Sequence, residues 1–192
     1  RKIGLEIRNS RVDADAEPPQ ACVYFSETLS QGRDVRFEDY LKLDPPAAIA
    51  VDRQSDTLCL SGLDNGANYT LSVLEGLPAA DGLTLKKTQT LTLRVGDRRP
   101  RVAFRGQAFI LPSAGADGLP LTTVNLDAVK ITIYRINDRN LIHQVNRREI
   151  MNAVSGGEAD DIADQYGAQV WQGRMAVEYQ RNKQVMTVFP LG

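Results

Sequence analysis

The feature that most constrains this chain is a side-chain alternation of period two that recurs along its length. Tyr69, Leu71 and Val73 alternate with Thr70 and Ser72, and Leu91, Leu93 and Val95 alternate with Thr90, Thr92 and Arg94. Val129, Ile131 and Ile133 alternate with Lys130 and Thr132. Trp171, Met175, Val177 and Tyr179 share one face, and Gln172, Arg174, Glu178 and Gln180 share the other. Successive side chains of a strand point to opposite faces, so such runs bury one face and wet the other, as in antiparallel sheets. Trp171 and Tyr179 are therefore expected in a core rather than lining a ligand groove.

Turn signals separate the runs at the spacing of a β-sandwich. Asp64-Asn65-Gly66 leads into the Tyr69 strand, and Asn-Gly predicts a tight turn with positive φ at both central positions. Asp81-Gly82 and Asp117-Gly118 serve similarly. Arg181-Asn182 predicts a final hairpin between the Trp171 strand and Gln184–Phe189.

A chain of 192 residues holds one large domain or two small ones. The boundary is read at Gly96 to Pro100, where charge clusters and Pro100 stops the preceding strand register. Each side then carries about five to seven strands, enough for one sandwich. The expected fold is all-β: two tandem antiparallel β-sandwiches over residues 1–98 and 99–192. Residues 1–19 are read as an edge strand plus linker. Residues 146–167 break the alternation and predict a long, mobile insertion with one or two helical turns, interrupted at Gly156-Gly157.

Charge excludes a nucleic-acid surface. The net charge is −1, with 12 basic and 15 acidic residues in 1–98 and 11 basic and 9 acidic in the remainder. No apolar run reaches the length of about 18 residues that a membrane span needs, and no signal peptide is visible. The chain opens at Arg1 and ends at Phe189-Pro190-Leu191-Gly192, directly after a strand-like run, which predicts a piece of a longer chain.

Cys22 and Cys59 both lie in strand-like runs. An isolated even pair suits an oxidising compartment and favours a bridge over two buried thiols, the alternative reading. Such a bridge contributes about 4 kcal/mol on the chain-entropy model. No Cys-X-X-Cys occurs to support zinc or redox-motif chemistry.

Little else points to catalysis. His143 is the one histidine, so any Ser/His/Asp or Cys/His centre must use it, and a lone strand histidine is ordinarily exposed. Glu158, Asp160, Asp161 and Asp164 lack the order of a calcium loop and read as a solvated segment. Asn68-Tyr69-Thr70 matches a glycosylation sequon of low specificity. No phosphate-cradling glycine motif is present. The expectation is a non-enzyme without cofactor or metal, with Asp97, Arg98 and Arg99 and the insertion as candidate contacts between domains.

The order of motifs in the second half adds a resemblance. After the Arg98-Arg99-Pro100 joint comes a Phe104-Arg105-Gly106 strand end and an Ile110-Leu111-Pro112 break. An Ala116-Asp117-Gly118-Leu119-Pro120 turn, a Val124-Asn125-Leu126 step and an alternating strand follow. This resembles the start of a macroglobulin-like domain of bacterial α2-macroglobulins. In the first half, Cys22-Val23-Tyr24-Phe25-Ser26, Tyr40-Leu41-Lys42-Leu43, Thr57-Leu58-Cys59-Leu60-Ser61-Gly62-Leu63, Asn68-Tyr69-Thr70-Leu71 and Gly76-Leu77-Pro78 resemble an early domain of the same family, cysteine pair included.

The resemblance covers about residues 20–190 and implies macroglobulin-like, immunoglobulin- or fibronectin-like sandwiches. It implies a scaffold role in a large periplasmic protease trap, often lipid-anchored to the inner membrane. Its implied partners are neighbouring domains, target proteases reached through the whole protein, and an envelope protein. Cys22 and Cys59 are followed by Val-Tyr-Phe and Leu-Ser-Gly, so no thioester Cys-x-Glu-Gln is carried here. A tandem module of a cell-envelope adhesion or ligand-binding protein is the alternative.

Overall fold

In the computed structural model, which describes residues 4–104, 118–136 and 156–190, the alternation becomes two antiparallel β units. They comprise Arg1–Arg98 and Arg99–Gly192. The expected all-β sandwich class is the class found. Among the described residues no helix is long and apolar enough to cross a membrane.

Among its described residues the first unit has seven strands. They are β1 (Ile7–Asp13), β2 (Gln20–Phe25), β3 (Leu41–Asp44), β4 (Ala50–Gln54), β5 (Thr57–Ser61), β6 (Asn68–Val73) and β7 (Gln89–Arg94). They pair as one sheet of order β1-β2-β5-β4 and a second of order β3-β6-β7. That arrangement is the ABED/CFG pattern of constant-type immunoglobulin domains. Inward residues alternate as read from the sequence: Ala21, Val23 and Phe25 on β2, Leu58 and Leu60 on β5, Tyr69, Leu71 and Val73 on β6, Leu93 on β7. Loop leucines complete this core. Leu5, Leu29, Leu77 and Leu85 are all fully buried, each contributing about 1.5–3 kcal/mol. Backbone bonds hold them in place, Leu5 N–H to the Thr84 carbonyl at 3.1 Å and Leu29 N–H to Ser55 at 2.8 Å.

The β5–β6 connection carries a tyrosine corner. Tyr69 is 3% exposed, and its hydroxyl accepts the Asp64 N–H at 3.2 Å and donates to the Asp64 carboxylate at 3.3 Å. The turn there differs from expectation. Gly66 has positive φ (78°) but Asn65 does not, because the connection passes from one sheet to the other instead of closing a two-residue hairpin.

The second unit's described strands are β8 (Arg101–Phe104), β9 (Leu119–Val124), β10 (Ala128–Ile136), β11 (Gly167–Ala176) and β12 (Gln184–Phe189). They form a β12-β9-β8 sheet and a β10-β11 ribbon around Leu121, Val129, Val177 and Phe189. Gly118, at φ 142°, enters β9 where any Cβ would run into the Phe189 carbonyl oxygen.

Two expectations are corrected here. The final hairpin does not form, since β11 pairs with β10 while β12 pairs with β9, so residues 177–183 cross between sheets. Asn125 and Asn182 fix that crossing. Both have positive φ; Asn125 Nδ2 donates to Asn182 Oδ1 at 3.0 Å, and the Asn182 backbone N–H donates to Asn125 Oδ1 at 2.7 Å. Second, the segment expected to hold one or two helical turns carries helix α1 (Gly156–Tyr166), three turns long, with Gly156-Gly157 at its start. Residues 146–155 of the expected insertion lie outside the described residues.

Candidate functional site

Three surfaces gather the side chains that carry chemistry. The first is the outer face of the β1-β2-β5-β4 sheet. Strand alternation turns Ala21, Val23, Leu58 and Leu60 inward, so the residues between them face out. Cys22 and Cys59 stand directly opposite each other in the β2–β5 ladder, Cα to Cα 4.0 Å, and are joined by a disulfide. Cys59 is 7% exposed and Cys22 is half-buried. Arg11 of β1 faces Cys22, and Asp52 of β4 faces Cys59. A shallow pocket of about 220 Å³ on this face is lined by Arg11, Asp13, Gln20, Cys22 and Tyr24.

The second surface is the end of the first unit where β7 runs out. Asn65 Nδ2 donates to the carbonyls of Ala14 (2.8 Å) and Gly96 (3.2 Å), tying three segments together. Arg98, 9% exposed, donates from Nη1 to Glu17 Oε1. Glu17 is 62% exposed, so water screens the pair and its contribution is small, about 0–1 kcal/mol. Asp97 and Arg99, on either side, are exposed. The chain separation of 81 residues between Glu17 and Arg98 left no sequence signal for this pair. The tyrosine corner did leave one, a tyrosine opening an alternating strand just after an Asp-Asn-Gly turn.

The third surface lies on the second unit, which holds every large apolar side chain that is exposed among the described residues. Met186 and Val188 stand on the outer face of β12, with Pro120 of β9 facing Val188. Trp171 and Tyr179 differ from expectation: they are 43% and 54% exposed. Trp171 lies on the β10-β11 ribbon, whose strands of nine and ten residues are longer than the described strands of four to six residues in the other sheet, and Tyr179 lies beyond the ribbon in the segment that crosses between sheets. Trp171 still meets Phe189, ring centroids 5.5 Å apart, and its indole lies over Gly173, where a Cβ would collide with the ring. Met175 and Val177, on the same face, are half-buried and buried.

The remaining sequence candidates stay apart from these surfaces. His143 lies outside the described residues. Asp160, Asp161 and Asp164 are exposed on α1, and no group of three or more metal-ligating side chains occurs among the described residues. Asn68 is the exposed first residue of β6, with Tyr69 of the sequon turned into the core.

Comparison with known proteins bears on both units. Residues 103–192 match the family model described as bacterial alpha-2 macroglobulin MG2 domain. The chain is 25% identical over 130 residues to an alpha-2-macroglobulin of Xylella fastidiosa (strain 9a5c), covering 65% of this chain and 8% of that protein. It is 24% identical over 135 residues to the alpha-2-macroglobulin of Escherichia coli (strain K12), covering 70% and 8%. The chain thus spans only a small fraction of these relatives' length. A crystal structure of Salmonella alpha-2-macroglobulin reacted with methylamine matches 98% of this chain and 12% of its own, with a TM-score of 0.65 at 19% identity. Native Escherichia coli alpha-2-macroglobulin spanning domains MG0-NIE-MG1 matches 99% and 61%, with a TM-score of 0.51 at 18% identity. At such identities the likeness establishes the fold.

Proposed function

We propose, from its likeness to bacterial alpha-2-macroglobulins, that this chain is a member of that family and supplies non-catalytic scaffold domains to the N-terminal part of a periplasmic protein that traps and inhibits proteases. The observation that carries this reading is the match of residues 103–192 to a macroglobulin domain of that family. The site chemistry is compatible with it. The described polar side chains are spread along wet strand faces, and the one cysteine pair is oxidised, which removes the thiolate a nucleophile requires. Neighbouring macroglobulin-like domains are the direct partners, with Asp97, Arg98, Arg99 and the 146–167 segment as candidate contacts. Proteases are met through the whole protein, which is anchored to the inner membrane, and an envelope protein is a further partner.

The test uses the full-length parent in its bacterial host. A protease treated with the parent should lose activity on large protein substrates, and cell fractionation should place the parent in the periplasm. The isolated 192-residue chain should neither inhibit the protease nor hydrolyse any substrate. Hydrolysis by the isolated chain, or a full-length parent that leaves proteases unaffected, would overturn the reading. The exposed Tyr134, Trp171 and Tyr179 favour the second reading, an adhesion or ligand-binding module. It predicts that the isolated chain binds an envelope polymer unaided.

A further inference from the structure

The Cys22–Cys59 bridge is placed differently from a core staple. The inner face of its sheet is complete without it, since Ala21, Val23, Phe25, Leu58 and Leu60 are at most 1% exposed. The β2–β5 ladder runs in register from Gln20↔Ser61 to Tyr24↔Thr57, so backbone pairing continues on both sides of the cysteines. Opening the bridge therefore exposes no core side chain.

The bridge is also approachable from one direction. Thiol–disulfide exchange is an in-line displacement at one sulfur, so the incoming thiolate must arrive from the side opposite the leaving sulfur. The sheet order β1-β2-β5-β4 puts Cys59 on one side of Cys22 and β1 on the other. The surface pocket lies on that β1 side, lined by Arg11, Asp13, Gln20, Cys22 and Tyr24. Its cation, Arg11, stands directly across from Cys22 and attracts an anionic thiolate against the opposing charge of Asp13. Cys59 is shielded, and its cross-strand neighbour is Asp52, held by Gln54 Nε2 at 2.7 Å. An acidic neighbour disfavours thiolate at Cys59, so it slows departure from that sulfur without redirecting attack.

We propose that Cys22–Cys59 is a thiol–disulfide exchange site of the folded first unit, opened by a small dithiol that enters from the β1 side and attacks Cys22. One thiolate of the dithiol bonds to Cys22 Sγ, the Sγ–Sγ bond breaks, and Cys59 leaves as a thiolate that takes a proton from water. The second thiol of the reagent, after losing its proton, attacks the reagent sulfur bound to Cys22 and releases Cys22, which is protonated in turn. The reagent ends as its own disulfide, and the protein gains two electrons and two protons. The unit remains a sandwich in both states and loses only the bridge's restraint on the chain between the cysteines.

The experiment treats the intact 192-residue chain with dithiothreitol in native buffer, quenches aliquots with iodoacetamide and maps alkylation by mass spectrometry. Circular dichroism is followed in parallel. The expected result is a rate proportional to dithiothreitol concentration, an early reagent adduct on Cys22, and an unchanged sheet spectrum in the reduced protein. Arg11→Gln should slow the reaction by two- to fivefold, and Asp52→Asn should speed it by a similar factor, with neither shifting the thermal midpoint. The Cys22→Ser/Cys59→Ser double variant should keep the sheet spectrum. A rate that saturates at the rate of global unfolding, adducts confined to Cys59, or loss of the sheet spectrum on reduction would each overturn the proposal.

Discussion

Replacing both cysteines with serine isolates what the bridge contributes to stability. Because the pair faces away from the core and serine is nearly isosteric, little packing is lost. The effect therefore falls on the unfolded chain. The cysteines are 37 residues apart, and a loop of that size restrains the unfolded ensemble by about 4 kcal/mol at 25 °C. The loop contains β3 and β4, so it spans the passage into the second sheet of the unit and the return from it. With a urea slope of about 1.5 kcal/mol per molar, the midpoint of the first unit should fall by about 2.7 M. The chain carries an internal control. Its only tryptophan, Trp171, belongs to the second unit, so tryptophan fluorescence follows that unit while tyrosine fluorescence and circular dichroism also register the first. The double variant should lose the first-unit transition to lower urea with the Trp171 transition unmoved, and reducing the unmodified protein should reproduce the shift. A loss below about 1 kcal/mol would refute the loop-entropy argument. A coincident shift of the Trp171 transition would show that the two units do not unfold separately.

Three smaller changes probe other parts of the reasoning. Tyr69→Phe deletes the hydroxyl that both accepts from and donates to Asp64, and should cost about 1–1.5 kcal/mol in urea titration of the first unit. Thr123→Val removes a hydroxyl that is 1% exposed and has no hydrogen-bond partner among the described residues, so the Trp171 transition should move to higher urea by about 0.5–1.5 kcal/mol. Gly118→Ala forces a Cβ against the Phe189 carbonyl at φ 142°, and should destabilise the same transition by about 2 kcal/mol or more. A neutral result at Gly118 would mean that the β9–β12 junction relaxes freely.

The period-two pattern was enough to name the fold class and most inward residues. Tyr69, Leu71, Val73, Leu93 and Val95 all face the core as the alternation requires, because side-chain direction along a strand is a local property. Alternation says which face a residue takes but not which strand lies beside it. Hence β11 and β12 looked like a hairpin, although each pairs elsewhere and two asparagines with left-handed backbones carry the chain across. Burial at a strand's end is likewise nonlocal. Trp171 and Tyr179 have the spacing of core residues, yet Trp171 stands 43% exposed on the β10-β11 ribbon and Tyr179 54% exposed in the segment that crosses between the sheets. The cysteines show the same division. Their number and strand context argued for a bridge, but only the β2–β5 register puts Cys22 opposite Cys59, and only the sheet order puts an open pocket behind Cys22. Strand faces follow from chemistry repeated every second residue. Neighbours, register and access depend on segments tens of residues apart, and those are settled when the sheets assemble.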